Sequence, residues 1–273
     1  MAKENPLASN LTLEQQKNLF GNAYLNMLWH CPTDQRFPYW VHLPDCYYDE
    51  KDPHYKLLVI IHGTGCAVED YVRHAKELAD RDHVAVLAPL FPGGLIQRDD
   101  FNSYKLLSCD GVRYDQILLD MIDDMAKRYP GVETDKFFLF GHSGGGPFVN
   151  RFLFAHPEKL RACAIGAPGR PTFLNPDEDY FWGTRDFKNY FGHDVDLAAV
   201  QKVPVLVIVG ENDTKFIGDS PYGDNRVARM KSLQKNLQDH GVHTELTILP
   251  GFAHEGGEKE RVQAAQHFFE AYL

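Results

Sequence analysis

Apolar runs too uniform for a sheet with one wet face recur along this chain, and they constrain its fold more than any other feature. They are YWVHL (39–43), KLLVIIHG (56–63), HVAVLAPLF (83–91), DKFFLFG (135–141), RACAIGAP (161–168), VPVLVIVG (203–210) and TELTILPG (244–251). Most are apolar at nearly every position, as a strand covered on both faces should be. Several of the intervening segments carry helical spacing instead. RYDQILLDMIDDMAKRY puts Ile117, Leu118, Met121, Ile122 and Met125 on one face and its aspartates on the other. VEDYVRHAKELADRD, NRVARMKSLQKNLQDHG and KERVQAAQHFFEAYL follow the same rule, and Gly241 stands where a helix C-cap belongs. Such alternation predicts an α/β fold: a mostly parallel twisted sheet of about eight strands with helices on both faces. The chain has 273 residues and shows no internal repeat, low-complexity tract or linker, so residues 1–273 read as one domain.

Two segments depart from the rhythm. Residues 1–35 read as an added helical extension. Thr12 and Gln15 fit a capping box, and Leu13, Phe20, Tyr24, Leu25 and Leu28 are spaced to pack on the body. Residues 169–203 replace a short crossover with an insertion rich in aromatics: Phe173, Tyr180, Phe181, Trp182, Phe187, Tyr190 and Phe191. A segment this short has little interior of its own. Some rings should therefore face a cleft, and the insertion is expected to be a small lid. Trp182, Phe187 and Tyr190 are the candidates for the wall of an apolar acyl or aromatic pocket.

The formal net charge of −10, with no Lys/Arg run, argues against nucleic acid and anionic membrane as partners. The opening MAKENPLASN lacks the apolar stretch of a signal peptide, and no apolar run is long enough to span a bilayer. Cys31, Cys46, Cys66, Cys109 and Cys163 are odd in number, scattered and free of any CxxC pair. They read as free thiols in a reducing, cytoplasmic compartment. The 13 histidines show no HExxH or similar metal spacing, so neither metal nor other cofactor is expected.

The chemistry concentrates where strands end. At 141–145, Gly-His-Ser-Gly-Gly fits G-x-S-x-G between a buried strand and a helix. That turn is sharp: it thrusts the Ser143 hydroxyl into the cleft, and the flanking glycines remove side chains that would strike the turn. A serine hydroxyl needs a base, and the base an orienting acid. In this arrangement the acid and then the histidine follow the serine in the chain. Asp213, just past VPVLVIVG, is the acid, with Glu211 and Asp224 as rivals; Glu211 sits too close to the strand to swing freely. His254 follows the last strand after a Pro-Gly turn, whereas His240 and His243 fall at a helix end and an exposed strand start. The tetrahedral intermediate needs amide donors. Thr64, or alternatively Gly65, in HGTG (62–65) supplies one N–H and Gly144 the other. Cys66 is a rival nucleophile without the elbow, and reads as a packing residue.

Together HGTG, GHSGG (141–145), GEND (210–213) and PGFAH (250–254) resemble the motifs of the α/β-hydrolase superfamily over roughly residues 36–273. The block DGVRYDQILLDMIDDMAKRYPGVETDKFFLFGHSGGG is similar to the poly(3-hydroxybutyrate) depolymerase and feruloyl-esterase-like branch. Members of that branch are commonly secreted and disulfide-bonded. The resemblance implies a serine ester hydrolase with Ser143, Asp213 and His254 in the three catalytic roles and a small-molecule ester as substrate. Acyl transfer, peptide or C–C bond cleavage, and ligand reception on the same triad are the alternatives, because a fold alone does not select among them.

Overall fold

The computed structural model describes residues 26–47, 49 and 54–273, together with Thr12 and Gln15. Eight strands form the main sheet: β1 (Asn26–His30), β2 (Pro38–His42), β3 (Tyr55–Ile61), β4 (Val84–Pro89), β7 (Val132–His142), β8 (Leu160–Gly166), β9 (Val205–Gly210) and β10 (Thr244–Leu249). Their order is β1-β2-β4-β3-β7-β8-β9-β10. β1 and β2 pair antiparallel, as do β2 and β4; every other neighbouring pair is parallel. A small hairpin, β5 (Ser108–Cys109) with β6 (Val112–Arg113), lies outside this sheet.

The strand pleat divides the core in two. Leu57, Val59, Ile61, Phe137, Leu139, Val205 and Val207 face one layer, and Leu58, Ile60, Phe138, Phe140, Leu206 and Ile208 face the other. The first layer is closed by α2 (Tyr114–Arg128), α3 (Gly145–Ala155) and α6 (Arg226–Asp239); the second by α1 (Val68–Asp82) and α7 (Glu258–Glu270). The five apolar residues expected to face inward on α2 do so. Two of its aspartates, however, are buried rather than wet. Asp115 meets Arg113 at 2.6 Å and His156 at 2.8 Å, and Asp124 accepts from Tyr39 Oη and Arg128. α3 is buried along its whole length, as a helix with elements on every side must be.

The N-terminal reading is corrected in part. Thr12 and Gln15 form the reciprocal capping box: Gln15 N–H donates to Thr12 Oγ1 at 3.2 Å and Thr12 N–H to Gln15 Oε1 at 2.8 Å. Residues 26–30, however, are the edge strand β1 rather than helix, and Leu28 is 43% exposed there instead of packing on the body. Leu13, Phe20, Tyr24 and Leu25 lie outside the described residues.

The insertion, 169–203, holds only two short helices, α4 (Phe187–Phe191) and α5 (Leu197–Val200). It lies over α3. Thr172 N–H donates to Asn150 Oδ1 at 2.6 Å, and Arg151 donates to Thr172 Oγ1 at 3.0 Å and to the Arg170 carbonyl at 3.1 Å. Its aromatics pack on one another and on the main core, with Phe173, Phe187, Tyr180 and Phe191 all buried. Parallel strands that share a direction deliver their following loops to one edge of the sheet. The loops after β3, β4, β7, β8, β9 and β10 therefore converge, and the site is built from them.

Candidate active site

β7 runs into His142, and the chain reverses through Ser143 into α3. Ser143 has φ +57°, a left-handed conformation that costs a non-glycine residue energy and that only a well-fixed turn sustains. Its N–H donates to the Gly166 carbonyl at 2.9 Å. The close approach that makes the turn possible is measurable at Gly145, where a Cβ would lie 2.3 Å from the Ile61 carbonyl oxygen.

Ser143 Oγ stands 2.8 Å from His254 Nε2, and His254 Nδ1 stands 2.7 Å from Asp213 Oδ2. The sequence-predicted serine, histidine and acid are thus brought into one hydrogen-bonded line. Asp213 is 1% exposed. Its second oxygen faces Arg226 Nη1 at 3.4 Å. The rival acids are placed elsewhere: Glu211 accepts the Gly251 N–H at 2.9 Å and so braces the turn before His254, while Asp224 is exposed and bonded to Asn225. His240 binds the Asn236 carbonyl and His243 is exposed beside Glu245. The acid and base loops are seated on each other. Asn212 N–H donates to the Phe252 carbonyl at 2.8 Å, and Arg261 holds the carbonyls of Ala253 and Gly256. The ring of His142 lies against that of His254, centroids 5.0 Å apart, and burial holds His142 well below the usual imidazole range.

Thr64 and Gly144 meet beside Ser143. A Cβ on Gly144 would lie 2.8 Å from the Thr64 nitrogen and 2.3 Å from Tyr104 Oη. Among the described residues neither of these two N–H groups donates to a backbone carbonyl, so both are available to an oxygen in the cleft. The Thr64 loop is fixed from below by His62. One ring nitrogen of His62 donates to the Gly63 carbonyl at 2.6 Å and the other accepts the Phe91 N–H at 2.9 Å. Burial pushes this imidazole down to about 4, so it is neutral. Cys66 has φ +56° and its thiol lies near the Thr64 and Phe91 carbonyls, away from the elbow.

A cavity of about 520 Å³ opens in front of Ser143, within the range of small-ligand sites. Its walls carry four cations, Lys105, Arg151, Arg170 and Arg226, and no acidic residue. Arg151 is 2% exposed, and its acceptors are all neutral: Thr172 Oγ1 and the carbonyls of Lys105 and Arg170. Burial lowers it from the usual guanidinium value.

The expected lid wall is corrected here. Trp182, Phe187 and Tyr190 do not line this cavity; their neighbour Phe181 does. Phe187 is fully buried against Tyr180 and Phe191, and Tyr190 lies tilted against Tyr180. Trp182 stacks on Tyr222 and lies under Arg229, whose guanidinium holds the carbonyls of Gly169, Gly218 and Gly223. These rings fasten the insertion to the body, and the space they leave carries four cations beside apolar Leu106, Pro147 and Phe181.

A dienelactone hydrolase family model matches residues 44–271, most of the chain. The chain belongs to the dienelactone hydrolase family. It is thus a member of a hydrolase family on the α/β-hydrolase fold. Among solved structures, one similar to it is a poly(3-hydroxybutyrate) depolymerase of Bordetella parapertussis: TM-score 0.72, 19% identity, 97% of this chain and 96% of that one. Another is poly(aspartic acid) hydrolase-1 of Sphingomonas sp. KT-1: TM-score 0.68, 19% identity, 89% and 96%. A third is a ferulic acid esterase: TM-score 0.62, 16% identity, 90% and 94%. No curated protein sequence matches the chain. At these identities the likeness is one of fold, and it agrees with the branch that the motifs resemble. No described helix is long and apolar enough to cross a membrane.

The cations are what sequence reasoning missed. They come from four places: the turn 103–106, α3, the insertion and α6. No motif joins them, and only the convergence of loops at the sheet edge puts them together.

Proposed function

We propose that this family member is a serine carboxylic-ester hydrolase whose substrate carries a negatively charged group beside the ester. In this reading Ser143 Oγ attacks the acyl carbon while His254 Nε2 takes its proton. Asp213 accepts the Nδ1–H, fixes the tautomer and stabilises the imidazolium that forms. The Thr64 and Gly144 N–H groups hold the oxygen as it becomes negative. The histidine returns the proton to the leaving alcohol, and water then releases the acid from Ser143 by the reverse sequence.

The cationic, acid-free wall of the cavity facing Ser143 carries the choice of substrate. Arg151 adds to it: its guanidinium lines the cavity and no carboxylate of the protein neutralises it, so an anionic group of a substrate would be its first counter-charge. A charge-assisted hydrogen bond contributes about 1.5–3 kcal/mol, so one such contact corresponds to a tenfold or greater preference. The test compares p-nitrophenyl butyrate with the p-nitrophenyl monoester of succinic acid, which has a similar acyl length and one added carboxylate. The anionic ester should show at least about tenfold higher kcat/KM, an advantage that shrinks with added salt. Ser143→Ala should turn over neither, and a fluorophosphonate should label the wild type at Ser143. An equal or reversed preference, insensitive to salt, refutes the anionic substrate. Labelling elsewhere refutes the nucleophile.

A further inference from the structure

Lys105 does not sit among the other cations as one more surface charge. Its side chain passes the two amides that face the cleft: a Cβ on Gly144 would lie 2.8 Å from Lys105 Cε and 2.8 Å from the Thr64 nitrogen. The ammonium donates to Thr64 Oγ1 at 2.8 Å and to Asn102 Oδ1 at 2.7 Å. Both acceptors are neutral, and an ammonium has a third N–H to give. Its backbone is held as well, because the Lys105 carbonyl accepts from buried Arg151 and Lys105 N–H donates to the Asn102 carbonyl. Next to it, Tyr104 is buried, stacks on Phe91 and donates to the His62 carbonyl at 3.2 Å. The turn is therefore clamped against the loop that presents Thr64.

We propose that Lys105 is a positioning residue of the oxyanion hole: its ammonium holds Thr64 through the hydroxyl, so that the Thr64 N–H points at the reacting oxygen, and it sets a positive charge beside that oxygen. The proposal rests on Ser143 being the nucleophile. A charge that does not move during the reaction contributes most where it faces charge that develops only in the transition state. Lys105 should therefore act on kcat with every ester, including neutral ones that make no use of the cationic wall. Burial also lowers the ammonium from the usual lysine range. The charged groups that face it are Asp100 from the preceding loop, Arg151 from α3 and Arg226 from α6, with the titratable thiol of Cys66 on the Thr64 loop. Losing its proton at alkaline pH should cost activity.

The experiment uses p-nitrophenyl acetate, which is neutral, with wild type, Lys105→Met, Lys105→Gln and Lys105→Arg. The Met and Gln variants should lose roughly 10- to 100-fold in kcat with KM little changed, and Arg should recover part of the loss. Wild-type kcat should fall on the alkaline side; the Met variant should lack that fall and the Arg variant should move it to higher pH. The Gln variant can still donate to Thr64 and tests the charge alone, should Met disturb the fold. Wild-type kcat in the Gln and Met variants, or an alkaline fall that persists in them, overturns the proposal. A loss confined to KM for the succinic monoester also overturns it, making Lys105 a substrate anchor only. Turnover that survives Ser143→Ala shows instead that the nucleophile reading has failed, and the proposal falls with it.

Discussion

His62 gives this protein a stability that depends on acid in a calculable way. The ring is buried and neutral, with one nitrogen donating to Gly63 and the other accepting from Phe91, and it titrates at about 4. In the unfolded chain a histidine titrates at about 6.5. Between those values the unfolded state binds a proton that the folded state refuses, so stability falls as pH falls. At pH 4.5 the unfolded imidazole is two units below its midpoint while the folded ring is still mostly neutral. At about 1.36 kcal/mol per unit, His62 alone should remove roughly 2.5 kcal/mol between pH 7 and pH 4.5. His142 and His42 are also depressed by burial and act in the same direction. Asp115, held at about 2 by His156 and Arg113 against the effect of burial, contributes at lower pH: its stabilisation is full above about 4 and is lost as pH falls through about 2. The assay is urea denaturation of wild type and His62→Gln across pH 4.5–7. The variant should be weaker at every pH because the ring's packing is lost, yet its stability should change less steeply with pH, by about one proton. An unchanged pH slope in His62→Gln refutes the assignment of a buried neutral ring.

Asp213→Asn should keep the fold and lower kcat by on the order of 10³–10⁴, through the wrong histidine tautomer; near-wild-type kcat with p-nitrophenyl acetate would name another acid. Gly144→Ala should lose most of its kcat and unfold at somewhat lower urea, since φ −64° suits alanine but the new methyl would force the Thr64 loop or buried Tyr104 to shift. Full activity in that variant argues against Thr64 and Gly144 as the oxyanion donors.

The parallel strands were legible because burial on both faces leaves an unbroken apolar run, as in VPVLVIVG, where every residue of β9 is buried. β1 left no such mark. It is an edge strand whose five residues alternate between exposed and half-buried, so NMLWH carries no solid run and merges with the helical pattern before it. The hydrogen-bonded line of Ser143, His254 and Asp213 was legible because each residue stands just past a strand end in the expected chain order, and Glu211 was distinguishable from Asp213 by its closeness to β9. The pocket was not. A count of aromatics cannot tell which way each ring points: Phe181 reaches the cavity while its neighbours Tyr180 and Trp182 pack elsewhere. Nor can a chain with a net charge of −10 announce that four of its cations face one cavity.

The way the insertion is fastened bears on how turnover is timed. Arg151 joins α3, the 103–106 turn and the insertion, and Arg229 joins the insertion to the loop that follows Asp213. Swinging the insertion open would cost Arg151 two of its three acceptors, Thr172 and Arg170, and Arg229 the Gly169 carbonyl, and would wet a layer of aromatic rings. The fastening argues for a fixed roof over the cleft. Molecules should then come and go through an opening of constant size, without waiting for a gate. An oil–water interface has nothing to pull aside, so hydrolysis should rise smoothly with ester concentration, with no jump where the substrate begins to form droplets.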